Sequence, residues 1–194
     1  GNSIYGGEGG KYNIVNNYFK AGPATSGNLT NSSSSNKRNR ILNYTSYYLE
    51  GKDTIWGGKY YVNGNYVHGY PDVTADNWTK GVQKDSYPGA VELMKLGKAD
   101  QQFGISNYVA VSPQDAYNEV IKHAGASLPQ RDTIDARIIR ELMTGTATYG
   151  GSYASGVSKP NGIIDSPSDV GGLPAYLSTT APQDTDSDGI PDEW

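Results

Sequence analysis

The sequence lacks cysteine and contains little of the leucine and phenylalanine on which a helical core depends. The absence of cysteine excludes disulfides, thiolate zinc sites and thiol catalysis within these 194 residues. Only 36% of the residues are hydrophobic and Phe occurs twice, whereas Gly occurs 25 times and Tyr 16 times. Because glycine supplies turns and tyrosine suits flat strands, the composition predicts a mainly β chain of many short strands.

Clustered positive charge and long apolar runs are also absent. The net charge is −4 and the acidity is concentrated at the C-terminus, which argues against a nucleic-acid partner, since a phosphate backbone requires clustered Lys and Arg. No stretch approaches the roughly 20 apolar residues of a membrane span. The chain opens on Gly1-Asn2-Ser3 without Met, basic region or apolar run, so we expect neither a signal peptide nor a native start here.

An imperfect repeat in the first 70 residues is the main structural signal. Residues 11–19 (KYNIVNNYF) match residues 59–67 (KYYVNGNYV), and residues 1–6 resemble residues 64–69. In each case an Asn is followed by a β-favouring run and a Gly-rich turn, as the stacked coils of a solenoid require. The repeat predicts a parallel β-helix in which an Asn at a bend pairs with the Asn above and below. Two unrelated hairpins with Asn-Gly turns are the alternative.

Helical signals begin after residue 111. Ser112 is a good N-cap, Pro113 suits the first helical turn, and an apolar stripe follows, so residues 113–124 are predicted to form a helix. Asp132 is the predicted cap of a second helix over residues 133–143. We therefore predict four regions: coils and loops of a parallel β-helix over 1–111, a two-helix cap over 112–145, a loop-rich tail over 146–183 and a calcium loop from 184 to 194.

The C-terminal run DTDSDGIPD, residues 184–192, has the spacing of a calcium loop. Its predicted ligands are the carboxylates of Asp184, Asp186, Asp188 and Asp192 and the backbone carbonyl of Ile190, with Gly189 at the sharp turn. The twelfth position would be residue 195, so either the loop uses fewer protein ligands or the chain was cut one residue early. An acidic, solvated tail is the alternative interpretation. The expected affinity is that of extracellular modules, about 10⁻⁴–10⁻³ M.

Several further segments together resemble the pectate lyases of polysaccharide lyase family 1, particularly the forms of gut and soil Bacteroidetes. The matching segments are residues 7–25 (GEGGKYNIVNNYFKAGPAT), 37–41 (KRNRI), 59–69 (KYYVNGNYVHG), 73–78 (VTADNW), 128–132 (LPQRD), 135–138 (DARI) and 184–194. The resemblance covers nearly the whole chain, and its specificity comes from the combination of segments.

The resemblance implies a right-handed parallel β-helix that cleaves α-1,4-galacturonan by β-elimination. In that family calcium binds the substrate carboxylates and acidifies the C5 proton, and an Arg abstracts that proton. The family's Arg-x-Pro-Arg motif does not occur in this sequence, so no catalytic residue is assigned and the active-site Arg is expected before Gly1. We expect the C-terminal part of a secreted pectate lyase, inactive on its own and monomeric in the full-length protein.

Three basic residues are the candidates for substrate contacts. Lys11, Arg38 and Arg40 could bind the uronate carboxylates of polygalacturonate or pectin; solvated basic turns or ion pairs with nearby Asp are the alternative. His68 and His123 are predicted to be structural. The expected location is extracellular, with the periplasm or cell surface as variants. The rival function is a non-catalytic carbohydrate-binding or adhesive β-solenoid, which Asn-rich coils and a terminal calcium repeat would serve equally.

Overall fold

The computed structural model describes residues 4, 9–25, 36–48, 55–84, 89–104, 107–128, 130–151, 160–175 and 180–194. The strands are β1 (Lys11–Val15), β2 (Tyr18–Phe19), β3 (Leu42–Tyr44), β4 (Ser46–Tyr48), β5 (Ile55–Gly57), β6 (Lys59–Asn63), β7 (Tyr66–Val67) and β8 (Val82–Lys84). The helices are α1 (Pro71–Ala75), α2 (Asn77–Gly81), α3 (Ala90–Leu96), α4 (Pro113–His123) and α5 (Thr133–Thr144), followed by a 3₁₀ turn at Pro167–Val170.

Three short parallel sheets pair one stretch of the chain with a later one. Each such stretch is called a pass of the chain. β1 pairs with β6, β2 with β7 and β3 with β8, in each case in parallel. A parallel bridge between Tyr60 and Lys98 adds the start of a third pass beside β6. The exception is the antiparallel pair β4–β5. Parallel neighbours need long connections, and here the connections carry the loops and short helices.

The sequence repeat corresponds to this pairing. Lys11 lies opposite Lys59 and Tyr18 lies opposite Tyr66, so the two copies run side by side in register instead of forming separate hairpins. The predicted stacking of the repeat is thereby confirmed. The described residues, however, form short two-stranded parallel sheets and do not form a solenoid.

Three short helices lie within residues 1–111, where the sequence predicted only coils and loops. Pro71 begins α1, and the side chain of Asp76 caps α2 by accepting a hydrogen bond of 2.9 Å from the Thr79 amide. A helix of five residues spans little more than one turn, which is too short for an apolar stripe to be recognised from the sequence. Of the three helices only α2 has a side-chain cap, so neither capping nor periodicity marks all of them in the sequence.

The hydrophobic core lies between the parallel sheets and is rich in tyrosine and β-branched residues. Along β6, Tyr60 and Val62 are buried while Lys59 and Asn63 are exposed, as the alternation of a strand requires. The ring of Tyr12 stacks on that of Tyr60 with centroids 5.0 Å apart. The buried hydrophobic cluster consists of Ile14, Ile41, Leu42, Tyr44, Tyr60, Val62, Val67, Tyr70, Val73 and Val82.

A ladder of asparagines crosses the bend between β1 and β2 and its counterpart between β6 and β7. The amide Oδ1 of the fully buried Asn65 accepts two hydrogen bonds of 2.9 Å from Asn17, one from its backbone N–H and one from its side chain. The Asn65 side chain donates to the Ile14 carbonyl at 2.7 Å. Asn77 extends the ladder by donating to the Asn65 carbonyl at 2.9 Å. The predicted Asn pairing at a bend is confirmed for this pair.

The two predicted longer helices are present, with ends that differ by one residue from the prediction. The Ser112 hydroxyl accepts from the Asp115 amide at 3.1 Å at the start of α4. The Asp132 carboxylate accepts from the Asp135 amide at 2.7 Å at the start of α5. None of the helices in the described ranges is long and apolar enough to cross a membrane.

Contacts at β2 hold the two helices against the strands. The Lys20 ammonium donates to the carbonyls of Leu142 and Met143, at 2.7 and 2.9 Å, in the last turn of α5. The Tyr117 ring of α4 stacks on Tyr18 with centroids 4.4 Å apart. A partly open cavity of about 320 Å³ remains between β2 and the helices. Whether these helices close the end of a longer stack of coils stays a prediction.

Candidate metal site and candidate substrate contacts

Three predicted calcium ligands converge in the C-terminal segment. One carboxylate oxygen from each of Asp184, Asp186 and Asp188 lies within 4.8 Å of the others. Gly189 adopts a φ of +88°, a conformation that favours glycine, at the position where a calcium loop turns sharply. The alternating aspartates of the sequence therefore lie close together in space, with Asp186 and Asp188 exposed to solvent.

Backbone amides of the same loop orient these carboxylates. The Gly189 amide donates to Asp184 Oδ2 at 3.0 Å, and the Ile190 amide donates to Asp188 Oδ1 at 2.8 Å. A third, longer contact of 3.4 Å joins the Asp188 amide to Asp186 Oδ1. Each carboxylate thus keeps its second oxygen for another partner.

Asp192 closes the base of the loop instead of joining the cluster. Its carboxylate accepts from the Thr185 amide at 2.8 Å and from the Thr185 hydroxyl at 2.6 Å, and its amide donates to the Gln183 carbonyl at 2.8 Å. The Thr185 hydroxyl, with the Thr185 amide, lowers the pKa of Asp192 below its ordinary value because both donors favour the charged carboxylate. Ligation by Asp192, and by the Ile190 carbonyl, stays a prediction.

The donor set fits a hard divalent cation. Asp184 Oδ1 is buried and has no hydrogen-bond donor, and an acceptor left unsatisfied in this way is costly. Calcium takes oxygen ligands, mostly carboxylates and carbonyls, and all the candidate donors here are oxygens. A cation between the three carboxylates would satisfy the Asp184 oxygen and offset the repulsion among them.

The two candidate arginines donate hydrogen bonds to other residues of the chain. Arg40 is 9% exposed and donates through Nε to Gln83 Oε1 at 2.6 Å. Gln83 in turn donates to the Asn36 carbonyl at 2.9 Å, so the group forms a buried polar network. Arg38 donates through Nη1 to the carbonyls of Gly22 and Thr25, both at 3.1 Å. These bonds fix the turn before β3 and the loop after β2; substrate contact by either arginine stays a prediction.

Lys11 is in a different position from the arginines. It is exposed at the start of β1, and its ammonium lies 5.8 Å from the centroid of the Phe103 ring. Lys59 lies directly opposite Lys11 on β6 and is not among the predicted site residues, although the repeat pairs the two lysines. Arg38 and Arg40 precede β3, in another sheet, so the structure does not place the three predicted contacts on one strand pair.

The two histidines have local partners. His68 Nδ1 lies 3.1 Å from the Tyr18 hydroxyl. His123 Nε2 lies 3.4 Å from a carboxylate oxygen of Glu119, one helical turn earlier in α4. The structural roles predicted for both residues stay predictions.

Comparison with known proteins gives one consistent likeness. The chain is 30% identical over 196 residues to a probable pectate lyase C of Aspergillus flavus, a match that covers 100% of this chain and 37% of that protein. The match to the probable pectate lyase C of Aspergillus oryzae has the same identity, length and coverage. A third, from Aspergillus fumigatus, is 30% identical over 185 residues, covering 93% of this chain and 34% of that protein. No family model matches the chain.

The proteins that this chain resembles are all named as probable pectate lyases. The chain spans about a third of the length of the curated relatives it matches. These relatives are fungal, so a particular similarity to the forms of Bacteroidetes stays a prediction.

Proposed function

We propose that this chain is part of a secreted, calcium-dependent pectate lyase that cleaves α-1,4-galacturonan by β-elimination. The observation that carries the proposal is the similarity of the whole chain, at 30% identity, to proteins named probable pectate lyase C. The resemblance of the sequence segments to polysaccharide lyase family 1 points the same way. Polygalacturonate or pectin is the proposed substrate.

The short parallel sheets are proposed to be C-terminal coils of a parallel β-helix in the complete protein. Three features support this: the in-register pairs β1–β6 and β2–β7, the Asn17–Asn65 ladder across a 48-residue interval, and the bridge from Tyr60 to Lys98. In a β-helix, each pass of the chain stacks on the previous one and like residues align. The described residues contribute two aligned passes and, at Lys98, the start of a third to such a stack.

Catalysis is proposed to reside outside these 194 residues. The sequence contains no Arg-x-Pro-Arg, and its arginines at 38 and 40 are hydrogen-bonded within the fold. The relatives are almost three times as long as the matched region, which leaves ample chain for a catalytic Arg and its calcium ligands. This segment then supplies packing for the coils and has no lyase activity of its own.

The C-terminal loop is proposed as an accessory calcium site. Asp184, Asp186 and Asp188 would hold the ion directly, with the Ile190 carbonyl and, through water, Asp192 as further ligands. The ion would cross-link the carboxylates and satisfy the buried Asp184 oxygen. This role suits the proposed extracellular location, because a loop of modest affinity needs abundant calcium.

A lyase assay tests the proposal. Polygalacturonate with calcium is incubated with the complete protein or with the 194-residue chain, and the unsaturated product is followed by ultraviolet absorbance. We expect turnover by the complete protein and none by the chain. Turnover by the chain alone would contradict the placement of catalysis, and binding of polymer by the complete protein without turnover would favour the non-catalytic carbohydrate-binding alternative.

A further inference from the structure

Two lysines face each other on the outer side of the β1–β6 sheet. Lys11 and Lys59 are directly paired in the parallel register, and both are exposed. Neighbouring strands lie about 4.8 Å apart, so paired side chains on one face are close neighbours. Tyr60 and Val62 are buried on the core side of β6, which places Lys59 and Tyr61 on the opposite face.

In the part of the chain that the structure describes, no carboxylate offsets the charges of this lysine pair. No carboxylate in the described residues lies within ion-pairing distance of either ammonium group. Like charges that lie directly opposite each other destabilise a sheet. An anion bound between the two ammonium groups would remove that repulsion and make two charge-assisted contacts at once.

An aromatic ring is fixed beside the pair. The Asn13 side chain, two residues after Lys11 on the same face, donates to the Phe103 carbonyl and accepts from the Phe103 amide, both at 2.9 Å. These two bonds hold the Phe103 backbone against β1, with the ring 5.8 Å from the Lys11 ammonium. The surface therefore combines two ammonium groups with a positioned apolar wall. A uronic acid offers matching chemistry, since its carboxylate is anionic and its ring carries apolar C–H groups.

We propose that Lys11 and Lys59, beside Phe103, form a binding site for the carboxylates of an acidic polysaccharide. The inference rests on the proposed function for the identity of that polymer, a galacturonan. It adds Lys59 and Phe103 to the surface and assigns the lysine pair to binding, apart from the reacting centre. Lys11 thus acts together with a partner from the next pass of the chain and not with the distant arginines.

Binding of polygalacturonate to the 194-residue chain, measured by isothermal titration calorimetry, tests the site. The double variant Lys11→Gln/Lys59→Gln is expected to bind about tenfold more weakly, because two charge-assisted contacts are lost. The matched control, Lys95→Gln/Lys122→Gln, removes the same charge from exposed lysines on α3 and α4 and should bind like the parent. Lys11→Arg/Lys59→Arg keeps both charges and should retain binding. Fully methyl-esterified pectin, which lacks the carboxylate charge, should bind weakly to every variant.

Thermal unfolding without polymer separates binding from a structural role. Removing both charges of the repelling pair should raise the melting temperature of the Gln double variant slightly. A lower melting temperature would assign the lysines to the fold and overturn the proposal. So would equal affinity of the two Gln double variants, absence of binding by the parent chain, or equal binding of esterified pectin. None of these outcomes depends on lyase turnover, so failure of the proposed function and failure of this site are distinguishable.

Discussion

Asn65 connects consecutive passes of the chain through one buried side chain. It accepts from the Asn17 amide and donates to the Ile14 carbonyl, and both groups lie on the earlier pass. Buried backbone groups that lose a partner cost about 1–3 kcal/mol each. The side chain therefore contributes more to stability than its few atoms would by packing, because it satisfies the Ile14 carbonyl in a buried contact and the Asn17 amide in a partly buried one.

Replacing this residue should strongly destabilise the chain. Asn65→Ala leaves the Asn17 amide and the Ile14 carbonyl without their partner, so we expect the free energy of unfolding to fall by about 3 kcal/mol. Urea denaturation followed by circular dichroism measures the change. Asn63→Ala, at an exposed position on the adjoining strand, should cost less than about 0.5 kcal/mol. Similar losses for the two variants would contradict a special role of the ladder.

Much of the residue-level chemistry was visible in the sequence. The order of aspartates from 184 to 188 predicted three carboxylates that the structure brings together. The hydrogen bonds from Thr185 to Asp192 were not predictable, because the spacing of a ligand position does not reveal whether its side chain points inward or closes the loop. Likewise, the burial of Arg40 depends on Gln83, more than 40 positions later in the chain.

At the scale of elements, capping residues predicted structure better than periodicity did. Ser112 and Asp132 marked the starts of α4 and α5, and both caps are present. The repeat predicted which strands pair. The helices α1 to α3 and the antiparallel pair β4–β5 carry no comparable signal, since each is only a few residues long. Tertiary contacts with neighbouring passes, which a local pattern cannot show, decide the conformation of such short segments.

The attachment of the two longer helices to β2 should depend on Lys20. Its ammonium meets the carbonyls at the C-terminal end of α5, where the helix dipole also favours a positive charge. We expect Lys20→Met to lower the stability of this contact by about 1–2 kcal/mol. Hydrogen exchange should show reduced protection of α5 amides while β1 and β6 are nearly unchanged.

Lys122→Met provides the control for that experiment. Lys122 is exposed in the last turn of α4 and, in the described residues, its ammonium takes part in no ion pair or hydrogen bond. Its replacement should leave the protection of α5 within error of the parent. If the α5 amides lose protection equally in both variants, the loss reflects the removal of a positive charge and not the loss of the hydrogen bonds from Lys20.

At the scale of the whole molecule, the structure combines a small tyrosine-rich core with long polar connections. Burial, followed by the neighbouring hydroxyls of Tyr12 and Tyr44, raises the pKa of the Tyr60 hydroxyl to about 12. The described residues differ from the predicted mainly β chain, because more of them lie in α-helices than in β-strands. The parallel stacking of the repeat was predictable. The number of passes, the size of the sheets and the position of the helices were not, because they depend on contacts between distant segments.

Calcium should stabilise the C-terminal loop and the chain that carries it. An ion that binds only the folded state stabilises it by an amount that grows with the logarithm of the ratio of its concentration to the dissociation constant, and so raises the melting temperature. We expect millimolar calcium to raise the melting temperature of the chain and chelation to reverse the effect, as followed by circular dichroism. Asp186→Asn/Asp188→Asn should abolish the increase.

Two other exposed aspartates supply the matched control. Asp100→Asn/Asp165→Asn makes the same change in charge away from the loop and should preserve the response to calcium. A calcium-dependent increase that survives in the Asp186/Asp188 variant would show that the ion acts elsewhere.

The hydrogen bonds of Lys20 also bear on the order of folding. They join Lys20 to residues that follow it by 122 and 123 positions in the chain. Each helix, in contrast, is built from contacts between residues at most four positions apart. Local helices form in well under a millisecond, but closing so long an intervening segment is slower. During synthesis the lysine leaves the ribosome long before its acceptors exist. We therefore expect α4 and α5 to form early. They should dock onto the strands later, after the strand that precedes Lys20 has formed.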